Sequence, residues 1–156
     1  MNKTLTVLKL TIDLVPRTAR QHMVMRNVSD KMWEKIQQEC YRVYDNKCGI
    51  CGNGGDLACH EVWEYDDTTL IQQLCGFIAL CRDCDNIKHI GLSQIKANKG
   101  ELDFDKLIEH FCNVNNCSRQ IFDEHYYQSF VLFEQRNKCN WKPDFGDYSY
   151  LINRTK

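Results

Sequence analysis

Residues 48–91 read CGICGNGGDLACHEVWEYDDTTLIQQLCGFIALCRDCDNIKHIG, and the fold turns on that stretch. Two cysteine pairs frame it: Cys48-Gly-Ile-Cys51 and, after twenty-nine intervening residues, Cys81-Arg-Asp-Cys84. Paired C-x2-C turns suit one tetrahedral zinc, because each turn supplies two vertices. Cys48, Cys51, Cys81 and Cys84 are therefore the expected ligands of a structural Zn2+. Between the pairs lies Cys59-His60-Glu61, and just after the second pair Asp85-Asn86-Ile87-Lys88-His89. Asp85 and His89 are four apart, so on a helix they share a face and can bind one divalent ion together.

The segments within this stretch predict strand, loop, strand, helix. Asn53-Gly54-Gly55-Asp56 is turn chemistry, so the chain reverses directly after the first cysteine pair. Leu57 to Tyr65 reads as a strand, broken by Asp66-Asp67-Thr68-Thr69. The short apolar run Leu74 to Leu80 delivers the chain to Cys81, and residues 82–90 read as a helix.

Outward toward the N-terminus, Leu8, Leu10, Ile12 and Leu14 alternate with polar residues, which predicts a half-buried strand stopped by Pro16. Arg17 to Asn27 is basic without a clean period and reads as a surface loop. Ser29 is placed as an N-cap, with Val28 and Trp33 as a hydrophobic staple. Met32, Ile36, Cys40 and Val43 follow at helical spacing and are expected to face the core, with Trp33 packed beside them.

The C-terminal part, residues 101–137, reads as helical. Asp103 can cap a helix carrying Leu107, Ile108 and Phe111 that ends near Asn115-Asn116. Ser118 can cap another with Phe122, Tyr126, Ser129 and Phe133 on one face. From Trp141 to Ile152, the alternation of Tyr148, Tyr150 and Ile152 after Gly146 predicts a final short strand. There is no internal repeat and no low-complexity segment.

The 156 residues suit a single domain, 1–156. Hydrophobic residues are 43% and charged residues 26%, a globular composition that excludes wholesale disorder. No apolar run approaches the ~20 residues needed to span a bilayer, so no membrane association is expected. Leu5 to Leu14 is interrupted by polar residues and does not form a signal pattern, which leads to the expectation of a cytoplasmic protein. Ten cysteines also fit a disulfide-stapled secreted chain, but the C-x2-C turns favour metal. Cys40, Cys59, Cys75, Cys112, Cys117 and Cys139 are then expected as buried thiols. Net charge is −1, yet residues 1–47 hold nine Lys or Arg against five Asp or Glu. A basic N-terminal part beside an acidic centre can dock phosphates next to a metal site, although ordinary solvated charge gives the same counts.

At these residues the chain resembles the HNH, or ββα-metal, endonucleases, and in particular short zinc-containing bacterial and phage HNH-like proteins. The likeness is carried by Leu14-Val15-Pro16, the Trp33 helix, Cys59-His60-Glu61-Val62-Trp63-Glu64-Tyr65-Asp66-Asp67, Ala79-Leu80-Cys81 and Lys88-His89-Ile90-Gly91. It implies an α+β fold: a ββα-metal, treble-clef-like zinc centre over 48–91 with flanking helices and short terminal strands. It also implies hydrolysis of DNA phosphodiester bonds, with His60 as general base and Asp85 and His89 holding Mg2+ or another divalent ion.

Two departures stand out. The related proteins usually have His directly after the last cysteine, where this chain has Asp85. They often carry Asp-His or His-His where this chain has Cys59-His60. Two registers follow: His60 as base with Cys59 in the ligand slot, or His60 as ligand with Glu61 doing the remaining work. The preferred reading is His60 as base with Glu61 as a nearby ligand or orienter. A cysteine is a poor ligand for hard ions, so Cys59 is expected to pack. Gln72 or Gln73 is the candidate for the family's middle Asn. Arg17, Arg20, Arg26 and Lys31 are the candidate contacts to the DNA backbone. The alternative is a catalytically degenerate HNH-fold binding protein, a phage-type regulator or inhibitor of a protein or nucleic-acid target.

Overall fold

A computed structural model describes residues 7–153, and Leu5 of the N-terminal run lies outside them. The fold is α+β, with a three-stranded sheet in the order β1 (Leu57–Asp66), β2 (Ile71–Cys81), β3 (Lys142–Asp144). Strands β1 and β2 form an antiparallel hairpin in which His60 faces Ile78 and Leu57 faces Cys81. The hairpin loop is organised by Asp66, whose carboxylate accepts from the backbone N–H groups of Thr68 and Thr69. Strand β2 is longer than the apolar run Leu74–Leu80 suggests, because pairing with β1 continues through Gln72 and Gln73 irrespective of their polarity.

The register slips between Val62 and Trp63, leaving Cys75 at a bulge beside Gly76. A bulge leaves the extra residue unpaired, and Cys75 is exposed rather than buried as expected. Cys40 is buried; Cys59, Cys112, Cys117 and Cys139 are partly buried, and none of the ten cysteines is in a disulfide. Gly76 has φ +147, and a Cβ there would lie 3.2 Å from the Tyr148 hydroxyl. Glycine alone meets both demands.

Directly after β2 come α3 (Arg82–Lys88) and α4 (Ile90–Asn98). The expected single helix over 82–90 breaks at His89, whose ψ of 46° leaves the helical range. Helix α5 (Phe104–Asn115) starts at the Asp103 cap, which accepts from Lys106 N–H, and ends on Asn116 in the left-handed conformation. Helix α6 (Arg119–Arg136) follows, with Phe122 and Phe133 buried. Leu80, Ile87, Ile90, Leu107, Ile108, Phe111 and Phe122 form the core between the hairpin and these helices.

The N-terminal strand expected over Leu8–Leu14 is absent. The alternation survives as burial, since Leu10 and Ile12 enter the core. Side chains take the place of a partner strand. Asn115 Oδ1 accepts from Lys9 and Leu10 N–H, Asn115 Nδ2 donates to Leu10 O, and His125 Nε2 accepts from Ile12 N–H. The expected loop Arg17–Asn27 is instead a 3-10 helix (Arg17–His22) and α1 (Val24–Asn27). Ala19 and Val24, buried within it, supply the apolar anchors that the basic composition obscures.

Helix α2 (Asp30–Val43) begins at Ser29, whose hydroxyl accepts from Met32 N–H. Of its expected core stripe Cys40 is buried, but Val43 is 63% exposed. The stripe borders a shallow groove shared with Phe77, Tyr148 and Leu151 instead of entering the core. Trp33 packs edge-on to Phe77 at 6.2 Å. The expected final strand is replaced by β3 (Lys142–Asp144), parallel to β2 at Ile71–Gln73, followed by a 3-10 turn (Gly146–Tyr148) and α7 (Ser149–Asn153). Tyr148 packs on Phe77 at 5.4 Å and thereby draws the chain back onto the sheet.

Candidate metal centres

Two donor clusters sit at the base of the hairpin. In the first, Cys48, Cys51, Cys81 and Cys84 present sulfurs that all lie within 4.8 Å of one another. Cys51 and Cys81 sulfurs are 3.5 Å apart. Tetrahedral zinc–thiolate bonds of about 2.3 Å require sulfurs about 3.8 Å apart, so the cluster can hold a metal such as zinc. Both turns carry the local hydrogen bonds such a site needs. Ile50 and Cys51 N–H point at Cys48 sulfur, and Cys84 N–H points at Cys81 sulfur. Burial opposes ionisation of Cys48, but the N–H groups of Cys51, Cys81 and Ile50, with the Cys51 thiol, outweigh it and hold its thiol at about 7. Burial pushes Cys81 up to about 11 and raises Cys84 further.

The first turn depends on close packing at Gly49. A Cβ there would meet the Tyr44 ring at 2.6 Å and Ile78 at 2.8 Å. The absence of a side chain lets Gly49 N–H reach Ala79 O at 2.7 Å, which stitches the turn to β2.

The second cluster is His60, Asp85 and His89, again with donor atoms mutually within 4.8 Å. His60 comes from the middle of β1 and is 6% exposed. Asp85 follows Cys84 in the first turn of α3, and His89 stands at the break that ends it. His60 Nδ1 is 3.7 Å and His89 Nε2 3.5 Å from the same Asp85 oxygen. The two rings meet edge-on at 5.2 Å. These separations are longer than good hydrogen bonds and suit imidazole and carboxylate donors around one small cation. Burial, followed by the neighbouring His89, lowers His60 to about 4, so it is neutral at pH 7. His89 and Asp85 remain partly exposed, which leaves the cluster open to solvent on their side. His60 also borders a cleft of about 390 Å³ between residues 11–15, β1 and α6.

Glu61 does not join this cluster. Successive strand residues face opposite sides, and its carboxylate accepts from Val24 N–H, Met25 N–H and Trp63 Nε1–H at 2.6, 3.1 and 3.1 Å. It holds α1 to the sheet, and burial raises its pKa despite those donors. Cys59 pairs with the Cys40 thiol, which is the first cause of its raised pKa, so it stays protonated and packs against α2. Gln72 is fully buried, bonded to the Tyr65 hydroxyl and His22, six residues along β2 from the partner of His60. Gln73 is exposed.

Of the candidate phosphate contacts, Arg17 pairs with Glu134 at 3.7 Å and lies over the Phe133 ring. Arg20, Arg26 and Lys31 are exposed. Two residues that the pattern reading passed over support the centre. Lys88, only 7% exposed, joins Asp13 at 2.7 Å and Thr11 at 3.0 Å. His110 of α5 lies 3.2 Å from Cys84 sulfur. Lys88 lies within the Lys88-His89-Ile90-Gly91 motif and His110 within none, but in neither case does the sequence signal the long-range partner.

No helix among the described residues is long and apolar enough to cross a membrane. Neither a protein-family model, nor a curated protein, nor a solved structure matches the chain.

Proposed function

We propose that this chain is a metal-dependent HNH-type endonuclease that hydrolyses DNA phosphodiester bonds in a reducing cytoplasm. The observation that carries the reading is the meeting of His60, Asp85 and His89 next to the four-cysteine cluster. A hairpin, a second cysteine pair and a helix in that order are the parts of a ββα-metal centre, in which the four thiolates hold zinc for structure. Asp85 and His89 are the proposed ligands of the second ion, and a carboxylate beside an imidazole accommodates Mg2+, Mn2+ or Ni2+. A divalent ion held there supplies positive charge against the phosphate and the departing oxygen.

His60 is the proposed general base. It is unprotonated at pH 7 and can accept the proton that water releases on attack. The Asp85 carboxylate, 3.7 Å away, stabilises the imidazolium that results. Exposed Arg20, Arg26 and Lys31 are proposed to meet the DNA backbone, which supplies affinity without sequence information.

The test is plasmid nicking by purified protein with Mg2+, Mn2+ or Ni2+. Wild type is expected to nick, and His60→Ala to lose about 10²-fold or more of the rate. Titrating the same variant with Mn2+ separates the two registers. Unchanged ion affinity supports the base, whereas loss of affinity together with activity makes His60 a third ligand, as its distance to the other donors also permits. No nicking under any ion, or equal nicking by His60→Ala, overturns the nuclease reading and leaves the binding scaffold.

A further inference from the structure

We infer that His110 is a positioning residue for the four-cysteine metal: its Nε2–H donates to the Cys84 thiolate and so ties the C-terminal helices to that centre. The inference concerns the structural metal alone and stands apart from the nuclease proposal.

Four thiolates around one divalent ion leave two surplus negative charges. In a buried site that charge is dispersed by N–H groups aimed at sulfur. The cluster supplies such donors unequally. Cys48 receives Ile50 and Cys51 N–H from its own turn and Cys81 N–H from the other pair, and Cys81 receives Cys84 N–H. Cys51 is partly exposed and has access to water. Cys84 is 0% exposed. Among the described residues, the nitrogen within hydrogen-bond reach of its sulfur is His110 Nε2, at 3.2 Å. The deepest of the four sulfurs therefore depends on a donor twenty-six residues away, on another helix.

His110 itself is placed as a donor and not as a ligand. Its ring falls outside the set of mutually close donors that Cys84 shares with the other three cysteines. Its other nitrogen, Nδ1, faces the Asp83 carboxylate at 4.0 Å. That distance is too long for a direct hydrogen bond. The side chain is 15% exposed and rises from α5 between Leu107 and Phe111, both buried against α3. Packing thus sets the ring's position before any metal arrives. An outer-sphere hydrogen bond of this kind is commonly worth 10–100-fold in metal affinity.

The test uses zinc- and cobalt-loaded full-length protein. In wild type, long-range 1H–15N spectra of the zinc form should show His110 Nε2 protonated. His110→Phe keeps the ring and loses the donor. It should release zinc to a chromophoric chelator about tenfold faster or more and move the thiolate-to-cobalt charge-transfer band to lower energy. His110→Gln, which retains an N–H, should recover part of both effects. An unprotonated Nε2 in the wild-type zinc form overturns the inference, and that spectrum decides the matter even where His110→Phe does not fold. Equal release rates with an unmoved band overturn it too. So does a cobalt spectrum showing loss of a nitrogen ligand in His110→Phe, or a wild-type protein that takes up neither metal.

Discussion

Glu61 shows how far one side chain's neighbours govern its role. Its position beside His60 invites a catalytic reading, yet the strand's two-residue period sends it to the opposite face. There it satisfies the first backbone N–H groups of α1, which have no intrahelical partner. Glu61→Gln keeps one oxygen for Val24 and Trp63 but turns an NH2 toward Met25 N–H. The expected cost is about 1–2 kcal/mol in chemical unfolding, with Mn2+ affinity at the His60 cluster unchanged. A large fall in ion affinity would return Glu61 to the metal site. Gly49 makes the complementary point. Gly49→Ala must displace Tyr44 or Ile78, so it should destabilise by about 1–3 kcal/mol, read as a lower melting temperature of the zinc-loaded protein.

At the scale of elements, local signals decided most of the starts and few of the identities at the edges. Ser29 and Asp103 cap their helices as their residue types predict, because capping is a contact within four residues. The hairpin is legible for the same reason, with turn chemistry between two apolar runs. The N-terminal segment misled because alternation reports which residues are buried and not what satisfies the backbone. Here Asn115 and His125 supply what a strand would. Asn115→Ala removes three bonds to residues 9 and 10. It should cost about 2–3 kcal/mol at roughly 1 kcal/mol each, with faster hydrogen exchange at Lys9 and Leu10 amides. Unchanged exchange there would mean that apolar burial alone holds the segment.

His125 carries that attachment into the behaviour of the whole molecule. Its Nε2 accepts from Ile12 N–H, a role open only to the neutral ring. Burial lowers its pKa, with Asp13 opposing and Lys88 assisting the shift. A histidine whose folded pKa is depressed stabilises the fold above its unfolded value, about 6.5, and that contribution is lost as pH falls toward the folded value. His60 acts in the same direction down to about 4. The protection factor of the Ile12 amide is therefore expected to fall as pH drops below about 6.5. His125→Gln, whose side-chain oxygen can still accept, should flatten that dependence. A protection factor indifferent to pH in wild type would show that the Ile12 bond does not carry it.

The sequence alone determined the two cysteine turns, the hairpin between them, the helix start after Cys81 and the caps of α2 and α5. Each of these arises from contacts a few residues apart, so residue type and spacing suffice. It also nominated His60, Asp85 and His89, because the last two share a helical face and the first lies on the adjoining strand. Their approach to within 4.8 Å belongs to the tertiary structure. So do the assignment of Glu61 to α1, the Asp13–Lys88 pair and the reach of His110 to Cys84. The last three pairings join residues between 26 and 75 positions apart, which meet only once the core has closed. No local pattern encodes such a meeting, since the energy that fixes it lies in the packing between elements.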